Sequence, residues 1–260
     1  MKRIAGRLRI GTALAVLALA VGCRGDKGSS ESGEPLMVMA AASLNRVMPE
    51  LINRFEEKTG QQVTLVTGAT GSLAAQLTNG APADLFFSAD EETVERLENE
   101  GLIRRGTVTP YAEGRLVLIW RDGAPPPASL VALSTGPYEV VAIANPEVAP
   151  YGVAALQALE NSSVGESVEG VTVRANSVND AYQFVRTGNA DAGIVALSAI
   201  DPATEAHLMI DPSLYEPIRQ AAGIVESSKN PSAARFLKFV TGEEGREILA
   251  RYGFSAPGSR

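Results

Sequence analysis

Hydrophobic positions along the chain follow two alternating patterns, short apolar runs typical of buried strands and 3.6-residue spacing typical of amphipathic helices. The run 36–41 is followed by a helical pattern that Ser43 opens and Thr59-Gly60 ends. The same unit recurs, and it predicts further strands at 62–67, 83–88, 115–120, 140–144, 171–174, 191–197, 208–210 and 218–225, with helices at 73–77, 91–101, 152–159, 179–187, 231–241 and 243–251.

The regular alternation of strand and helix predicts an α/β protein whose sheets are mostly parallel and flanked by helices. Three consecutive prolines, Pro125 to Pro127, interrupt the pattern after the strand at 115–120. Because proline cannot lie in a helix interior, this stretch is a loop and a candidate domain junction.

The first 22 residues differ from the rest of the chain. A basic start precedes the apolar run 10–21, which is shorter than the roughly 20 apolar residues that span a bilayer. This pattern predicts a signal peptide at 1–22. The run ends in Ala20-Val21-Gly22-Cys23, and Cys23 is the only cysteine in the sequence, which excludes an internal disulfide framework.

The sequence around Cys23 resembles a bacterial lipoprotein signal, in which cleavage before the cysteine leaves a thiol to be acylated. An ordinary signal peptide with a chance cysteine is the alternative. Residues 23–35 are rich in Gly, Ser and charge, the composition of a flexible tether. The expected location is the periplasm or cell surface, with the membrane contacted only through acylated Cys23.

The net charge of the chain limits the kinds of ligand and macromolecule that it can attract. The 260 residues contain 23 basic and 30 acidic side chains, a net charge of −7. Removal of the signal peptide leaves 19 basic against 30 acidic residues, a net charge of −11. Nucleic acid is therefore an unsuitable partner, and any attraction for an anion must be generated locally.

Four predicted strand-to-helix turns consist of small, neutral residues: 42–44, 69–72, 150–152 and 177–179. Ligands of open α/β sheets bind at such turns, and a helix N-terminus attracts an anion through unpaired N–H groups and its dipole. Ser43 and Thr70 add hydroxyl donors. The alternative for each turn is that its Ser or Thr is only a helix N-cap.

A site built from neutral donors has no acceptor for a ligand proton. Such a site favours a fully ionised oxyanion such as molybdate, tungstate or sulfate over phosphate, with the choice among the three depending on cavity size. The glycines of 68–72 are not followed by Gly-Lys-Ser/Thr, so a nucleotide phosphate loop is excluded there.

Catalytic residues are scarce. One His and one Cys cannot form a Ser–His–Asp arrangement or a metal cluster, and His207 lies in a connecting stretch that favours a surface or packing role. Asp84 and Asp90 are the remaining candidates, although Asp90 precedes an acidic helix start typical of capping. We expect no enzyme and no cofactor; an exported carboxylate-dependent hydrolase or a sensory module is the alternative.

Three stretches, 40–44, 68–73 and 80–90, resemble the periplasmic molybdate-binding protein family of ABC importers. The third, GAPADLFFSAD, is the most specific. Asn145-Pro146-Glu147, Gly193-Ile194-Val195 and the closing Arg251-Tyr252-Gly253-Phe254 extend the resemblance to about residues 36–256.

This resemblance implies a two-lobed, type II periplasmic binding-protein fold with two crossover strands as its hinge. Lobe one would comprise 36–115 and 222–260, and lobe two 116–221. The implied partners are a small oxyanion and an ABC permease with its ATPase, the protein acting as a monomer. The implied molybdate ligands are N–H and hydroxyl groups of Ser43 and Thr70, with backbone N–H groups of Tyr151 and Val178.

One position departs from the family. Its well-known members have a tyrosine after the Gly-Ile-Val strand, whose hydroxyl reaches the oxyanion, and this chain has Ala196 there. Our hypothesis is that Tyr151 or Tyr182 supplies the hydroxyl instead. The departure also keeps open a binding protein for sulfate or another small anion.

Overall fold

The computed structural model describes residues 34–258. The predicted signal peptide, Cys23 and nearly all of the tether lie outside this range. Within it, no helix is both long enough and apolar enough to cross a membrane.

Ten strands and nine helices make up the described chain, together with short 3-10 turns. The strands are β1 Leu36–Ala41, β2 Val63–Gly68, β3 Leu85–Phe87, β4 Thr109–Gly114, β5 Leu116–Trp120, β6 Val141–Ala144, β7 Thr172–Ala175, β8 Ala192–Ala196, β9 Leu208–Met209 and β10 Ile218–Ile224. The helices are α1 Met48–Thr59, α2 Thr70–Thr78, α3 Glu91–Asn99, α4 Ala132–Thr135, α5 Pro150–Asn161, α6 Gly165–Val168, α7 Val178–Arg186, α8 Ser232–Thr241 and α9 Glu243–Arg251.

The strands form two five-stranded sheets, ordered β2-β1-β3-β10-β4 and β7-β6-β8-β5-β9. These sheets confirm the α/β, two-lobed fold. Each sheet is mixed rather than mostly parallel, because β10 is antiparallel to both of its neighbours and β5 is antiparallel to both of its own. Both strands follow a passage of the chain between the lobes, so the helical crossover that enforces parallel pairing is missing before them.

The chain passes from lobe one to lobe two between β4 and β5, and it returns between β9 and β10. The lobe boundaries predicted at 115/116 and 221/222 stay predictions, and the second falls within β10. The three prolines connect β5 to β6 of the same sheet, so the proposed junction at this loop is wrong. Proline breaks regular structure locally and carries no information on which sheet the next strand joins.

Strand β4 was missed by the periodicity. Its sequence TPYAEG contains Pro110 and Gly114, two residues that are rare within strands. The strand lies at the edge of its sheet, where the missing N–H of a proline is tolerated. The β4 strand therefore depends on its pairing with β10 rather than on local preference.

The first helix begins later than predicted. Ala42–Leu44 form a 3-10 turn, and α1 starts at Met48 with Pro49 in its first turn. Gly60 ends it with a φ of +71°, in the left-handed region that favours glycine, and donates its N–H to the carbonyl of Glu56 at 2.8 Å. Ser43 consequently lies in a tight turn directly after β1.

Helices cover both faces of the first sheet. One face packs on α1, α8 and α9 around Phe55 and Phe236, whose ring centroids are 5.0 Å apart, and the other packs on α2 and α3 around Phe86. The hydrophobic core of lobe two extends across the cleft onto small residues of lobe one: Ala41, Ala42, Ala69 and Ala89. The lobes therefore meet through side chains small enough for close backbone approach.

Candidate functional site

The four predicted turns line one small cavity between the lobes. Its volume is about 10 Å³, the room for roughly one water-sized sphere. Among the described residues, those that line it carry no formal charge: Ala41, Ala42, Ser43, Ala69, Thr70, Ala89, Ala149, Pro150, Tyr151 and Val178. The cavity thus brings together Ser43, Thr70, Tyr151 and Val178, which lie far apart in sequence.

Lobe one contributes two buried hydroxyl groups, those of Ser43 and Thr70. The N-cap of the 3-10 turn is Ala41 and that of α2 is Ala69, so the capping alternative is wrong for both hydroxyls. Thr70 Oγ1 accepts from the N–H of Ala89 at 3.0 Å. Because a hydroxyl can accept and donate at once, the proton of Thr70 is left to point elsewhere.

Lobe two contributes two helix N-termini. Helix α5 begins at Pro150, and α7 begins at Val178, both on the cavity wall. Ser177 caps α7 by accepting from the N–H of Asp180 at 3.1 Å, which leaves Val178 in the first turn to offer backbone alone. Helices of this length carry a partial positive charge at their N-termini, so this wall of the cavity favours an anion.

Tyr151 lies at the boundary of the two lobes. Its side chain is 2% exposed, and its hydroxyl oxygen accepts from Gln220 Nε2 at 2.8 Å. A Cβ at position 114 would overlap this hydroxyl, so Gly114 provides the space for it. Burial raises the pKa of Tyr151 far above its usual range, opposed by hydrogen bonds to Gln220, Ser43 and then Ser198.

Tyr182 and Ala196 lie elsewhere. The Tyr182 hydroxyl donates to the carboxylate of Glu205, at 3.0 Å from Oε2. Ala196 ends β8 opposite Leu116 and is completely buried in the sheet. Of the two tyrosines considered as replacements for the family hydroxyl, the structure brings only Tyr151 to the cavity.

Besides the bond between Gln220 and Tyr151, hydrogen bonds to backbone carbonyls join the lobes across the cleft. Gly71 donates its N–H to the carbonyl of Val148 at 2.8 Å, and Ser198 Oγ donates to the carbonyl of Ser43 at 2.8 Å. Arg46 donates to a third carbonyl, that of Ile200. The lobes are therefore held together on both sides of the cavity.

The three other candidate residues have structural contacts. Asp90 caps α3 by accepting from the N–H of Thr93 at 2.5 Å, as the acidic helix start predicted. Asp84 accepts from the N–H of Met37 at 2.8 Å and from Ser228 Oγ at 2.6 Å. His207 Nδ1 lies 2.8 Å from the carbonyl oxygen of Glu205. The structural interpretation of both aspartates is confirmed.

A larger groove of about 510 Å³ adjoins the cavity and shares Thr70, Ala89, Ala149 and Pro150 with it. Its charged side chains are predominantly acidic: Asp90, Glu91, Glu92, Glu95, Glu147 and Glu216, with Arg219. The groove repels an approaching anion at long range, so attraction has to come from the cavity itself, as the net charge of the chain indicated.

Sequence analysis missed Gly114, Ser198 and Gln220. The signal for Gln220 was its position in the otherwise apolar interior of β10, IRQAAGI, where it is completely buried. Gly114 and Ser198 gave no comparable signal, because each matters only through a contact with a residue distant in sequence.

The raised pKa of Tyr151 predicts a pH-independent site. Because the folded protein holds this proton more tightly than the unfolded chain, the hydroxyl stays protonated above its ordinary pKa of 10.0. Anion affinity should stay constant within about twofold from about pH 7 to about pH 9, which calorimetry at each pH measures. The contribution of Tyr151 to the free energy of unfolding is fully present below the pKa that its hydroxyl has in the unfolded chain. This contribution is lost as the pH rises through the pKa of the hydroxyl in the folded protein. A marked loss of affinity below pH 9 would show that the hydroxyl ionises early.

The chain matches one family model, described as "Bacterial extracellular solute-binding protein", over residues 36–255. The match therefore covers essentially the whole described chain, including both lobes and all four turns.

Two curated relatives are similar over most of their length, and both carry the name molybdate-binding protein ModA. That of Rhodobacter capsulatus is 37% identical over 84% of this chain and 87% of its own. That of Azotobacter vinelandii is 35% identical over 84% and 89%. The solved structure of the Azotobacter vinelandii periplasmic molybdate-binding protein superposes with a TM-score of 0.81 at 33% identity, over 85% of this chain and 99% of that one.

Proposed function

Because the chain belongs to the bacterial extracellular solute-binding protein family, we propose that it captures molybdate or tungstate outside the cytoplasm and delivers the oxyanion to an ABC importer. It acts by binding rather than by catalysis, as a monomer that presents its ligand-bound form to a permease and its ATPase. The two relatives named above are molybdate-binding proteins by name.

The observation that carries this proposal is the convergence of four neutral strand-to-helix turns on one cavity. From lobe one, Thr70 offers a hydroxyl donor, and Ser43 and Thr70 offer backbone N–H groups. From lobe two, Tyr151 and Val178 offer backbone N–H groups. A tetrahedral oxyanion has four oxygens, each able to accept from a different direction. Donors from both lobes suit such a ligand, and a ligand that is bound by both lobes holds them together.

The chemistry of the lining also supports the ligand class. The side chains that line the cavity are uncharged. Buried neutral donors compensate the charge of a dianion through their dipoles. They provide few acceptors for the proton of a protonated ligand, whose O–H group would then be buried without a hydrogen bond. Ligands of this class are small and fully ionised near neutral pH.

Titration calorimetry of the mature protein with molybdate, tungstate, sulfate and phosphate tests the proposal. We expect saturable heat with molybdate and tungstate, and affinities at least about 100-fold weaker with phosphate, a difference equal to about two good hydrogen bonds. Strongest binding to sulfate would reassign the ligand within the class. The absence of heat with all four anions would refute the proposal.

Two tyrosine variants test which hydroxyl acts at the site. Tyr151→Phe should weaken molybdate binding by about 10-fold, because one donor to the anion is lost. Tyr182→Phe is the matched control and should bind like the wild type, since its hydroxyl is bonded to Glu205. An unchanged affinity in both variants would exclude a tyrosine hydroxyl from the site.

We also propose that the mature protein is anchored to the membrane through acylated Cys23, with residues 24–35 as a tether. The support is the sequence Ala20-Val21-Gly22-Cys23 after an apolar run and the polar composition that follows. In a bacterial host that processes lipoproteins, the wild type should fractionate with membranes, and Cys23→Ala should not be acylated. Equal release of both proteins into the soluble fraction would leave an ordinary signal peptide as the explanation.

A further inference from the structure

Gln220 is a fully buried amide in a strand that is otherwise apolar inside. It lies in β10 with Ala221 and Ala222, and all three have 0% exposure. Burying an amide without hydrogen bonds costs about 1–3 kcal/mol on the scale of protein mutations. A glutamine at this position therefore needs partners, and the strand places it beside the cavity at the passage between the lobes.

The amide of Gln220 joins hydroxyl groups of both lobes. On the lobe-one side its Oε1 accepts from Tyr111 at 2.7 Å and from Ser43 Oγ at 3.3 Å. On the lobe-two side its Nε2 donates to the hydroxyl oxygen of Tyr151 at 2.8 Å. Gln220 thus connects Ser43 and Tyr151, which both line the cavity.

These contacts determine the direction of a proton. An amide oxygen only accepts and an amide nitrogen only donates, so the nitrogen that faces Tyr151 makes the tyrosine oxygen an acceptor. A tyrosine hydroxyl has one proton, and that proton cannot point back at a donor. It can turn to the hydroxyl oxygen of Ser43 or Ser198, the other hydroxyl groups that interact with Tyr151, or to an oxyanion in the adjacent cavity, whose negative charge makes it the stronger acceptor.

We propose that Gln220 is a positioning residue that makes the Tyr151 hydroxyl a hydrogen-bond donor to the bound oxyanion. The inference rests on the function proposed above and adds a residue outside the cavity wall. It also accounts for Gly114, because only a glycine there leaves room for the Tyr151 hydroxyl beside the amide. The ligand favoured by this arrangement has no proton of its own to donate.

Gln220→Glu tests the direction of the proton, because a carboxylate has the shape of the amide but only accepts. At about pH 8 the Tyr151 proton would turn to the carboxylate, and molybdate affinity should fall by about 100-fold or more, from a lost donor and an added negative charge. Burial raises the pKa of such a carboxyl group, so lowering the pH should protonate it and let it donate again. We expect molybdate affinity to recover by at least about 10-fold at the acidic end of a pH series, against less than about twofold change in the wild type over the same series.

A neutral variant separates positioning from packing. Gln220→Met keeps the volume without donor or acceptor, and it completes a double-mutant cycle with Tyr151→Phe. If Gln220 acts through the Tyr151 hydroxyl, adding Gln220→Met to Tyr151→Phe should change molybdate affinity by less than about twofold, although it weakens the wild type by about fivefold or more. Thermal unfolding of each variant reports on folding separately.

The outcomes are distinguishable. Additive effects in the cycle, or a Gln220→Glu affinity that follows the wild type across the whole pH series, would overturn the positioning role. If the wild type bound neither molybdate nor tungstate, the proposed function itself would be refuted instead.

Discussion

Gly114→Ala should weaken molybdate binding by about 10- to 100-fold, the equivalent of about 1–3 kcal/mol of overpacking. The added Cβ would overlap the Tyr151 hydroxyl and lie 2.8 Å from Gln220 Nε2. All three groups are buried, so the ring of Tyr151 has to move. Tyr151 is the second residue of α5, so the start of that helix should be displaced with it. The measurement is the dissociation constant for molybdate by calorimetry.

Gly170→Ala is the matched control for this substitution. Position 170 has open space around an added Cβ, with no atom within 4 Å, and lies away from the cavity in the 3-10 turn Glu169–Val171. The affinity of the Gly170→Ala protein for molybdate should equal that of the wild type. If Gly114→Ala also bound molybdate within about twofold of the wild type, the close approach of Tyr151 to position 114 would have no role in binding.

Gly152→Ala is expected to lower the free energy of unfolding by about 3 kcal/mol, the upper part of the usual range for overpacking. Its Cβ would overlap the carbonyl oxygen of Ala144 and lie 2.8 Å from the backbone nitrogen of Pro146. Both are backbone atoms at the end of β6, where a side-chain rotation cannot relieve the overlap. Thermal unfolding should show a melting temperature about 6–12 °C lower.

The sign of this effect separates tertiary contact from helix preference. Alanine is the better helix former by about 1 kcal/mol, so a purely local effect would stabilise α5. Gly165→Ala in α6 of the same lobe is the control, because its Cβ would meet Glu160 only at 3.4 Å, an ordinary contact. A Gly152→Ala protein as stable as this control would contradict the close packing of α5 on β6. The molybdate affinity of Gly152→Ala should fall as well, since Tyr151 precedes the displaced residue.

The acidic groove and the neutral cavity together explain how a protein with excess negative charge can bind a dianion. At long range the carboxylates of the groove oppose the ligand, whereas within the cavity backbone dipoles and hydroxyls act over a few ångströms. Selectivity for an ionised ligand then depends on donor geometry rather than on net charge.

Most elements were predictable from the sequence because their signals are local. The apolar run 36–41 is a strand and the spacing that follows is a helix, and Thr59-Gly60 ends that helix as expected. The misses have local causes too. In β4 Pro110 and Gly114 conceal the strand, and the three prolines suggested a boundary where the chain stays in one sheet.

By itself the sequence determined the α/β class and the four turns that line the cavity. Both can be recognised within short stretches of sequence, from the periodicity of helices and strands and from the small neutral residues of the turns. Only the tertiary structure decided the mixed strand order, the position of Tyr151 rather than Tyr182 at the cavity, and the amide that connects the lobes. Gln220 lies 177 positions from Ser43 and 69 from Tyr151. No local rule relates residues so far apart, since their contact follows from how the strands pair and the lobes meet.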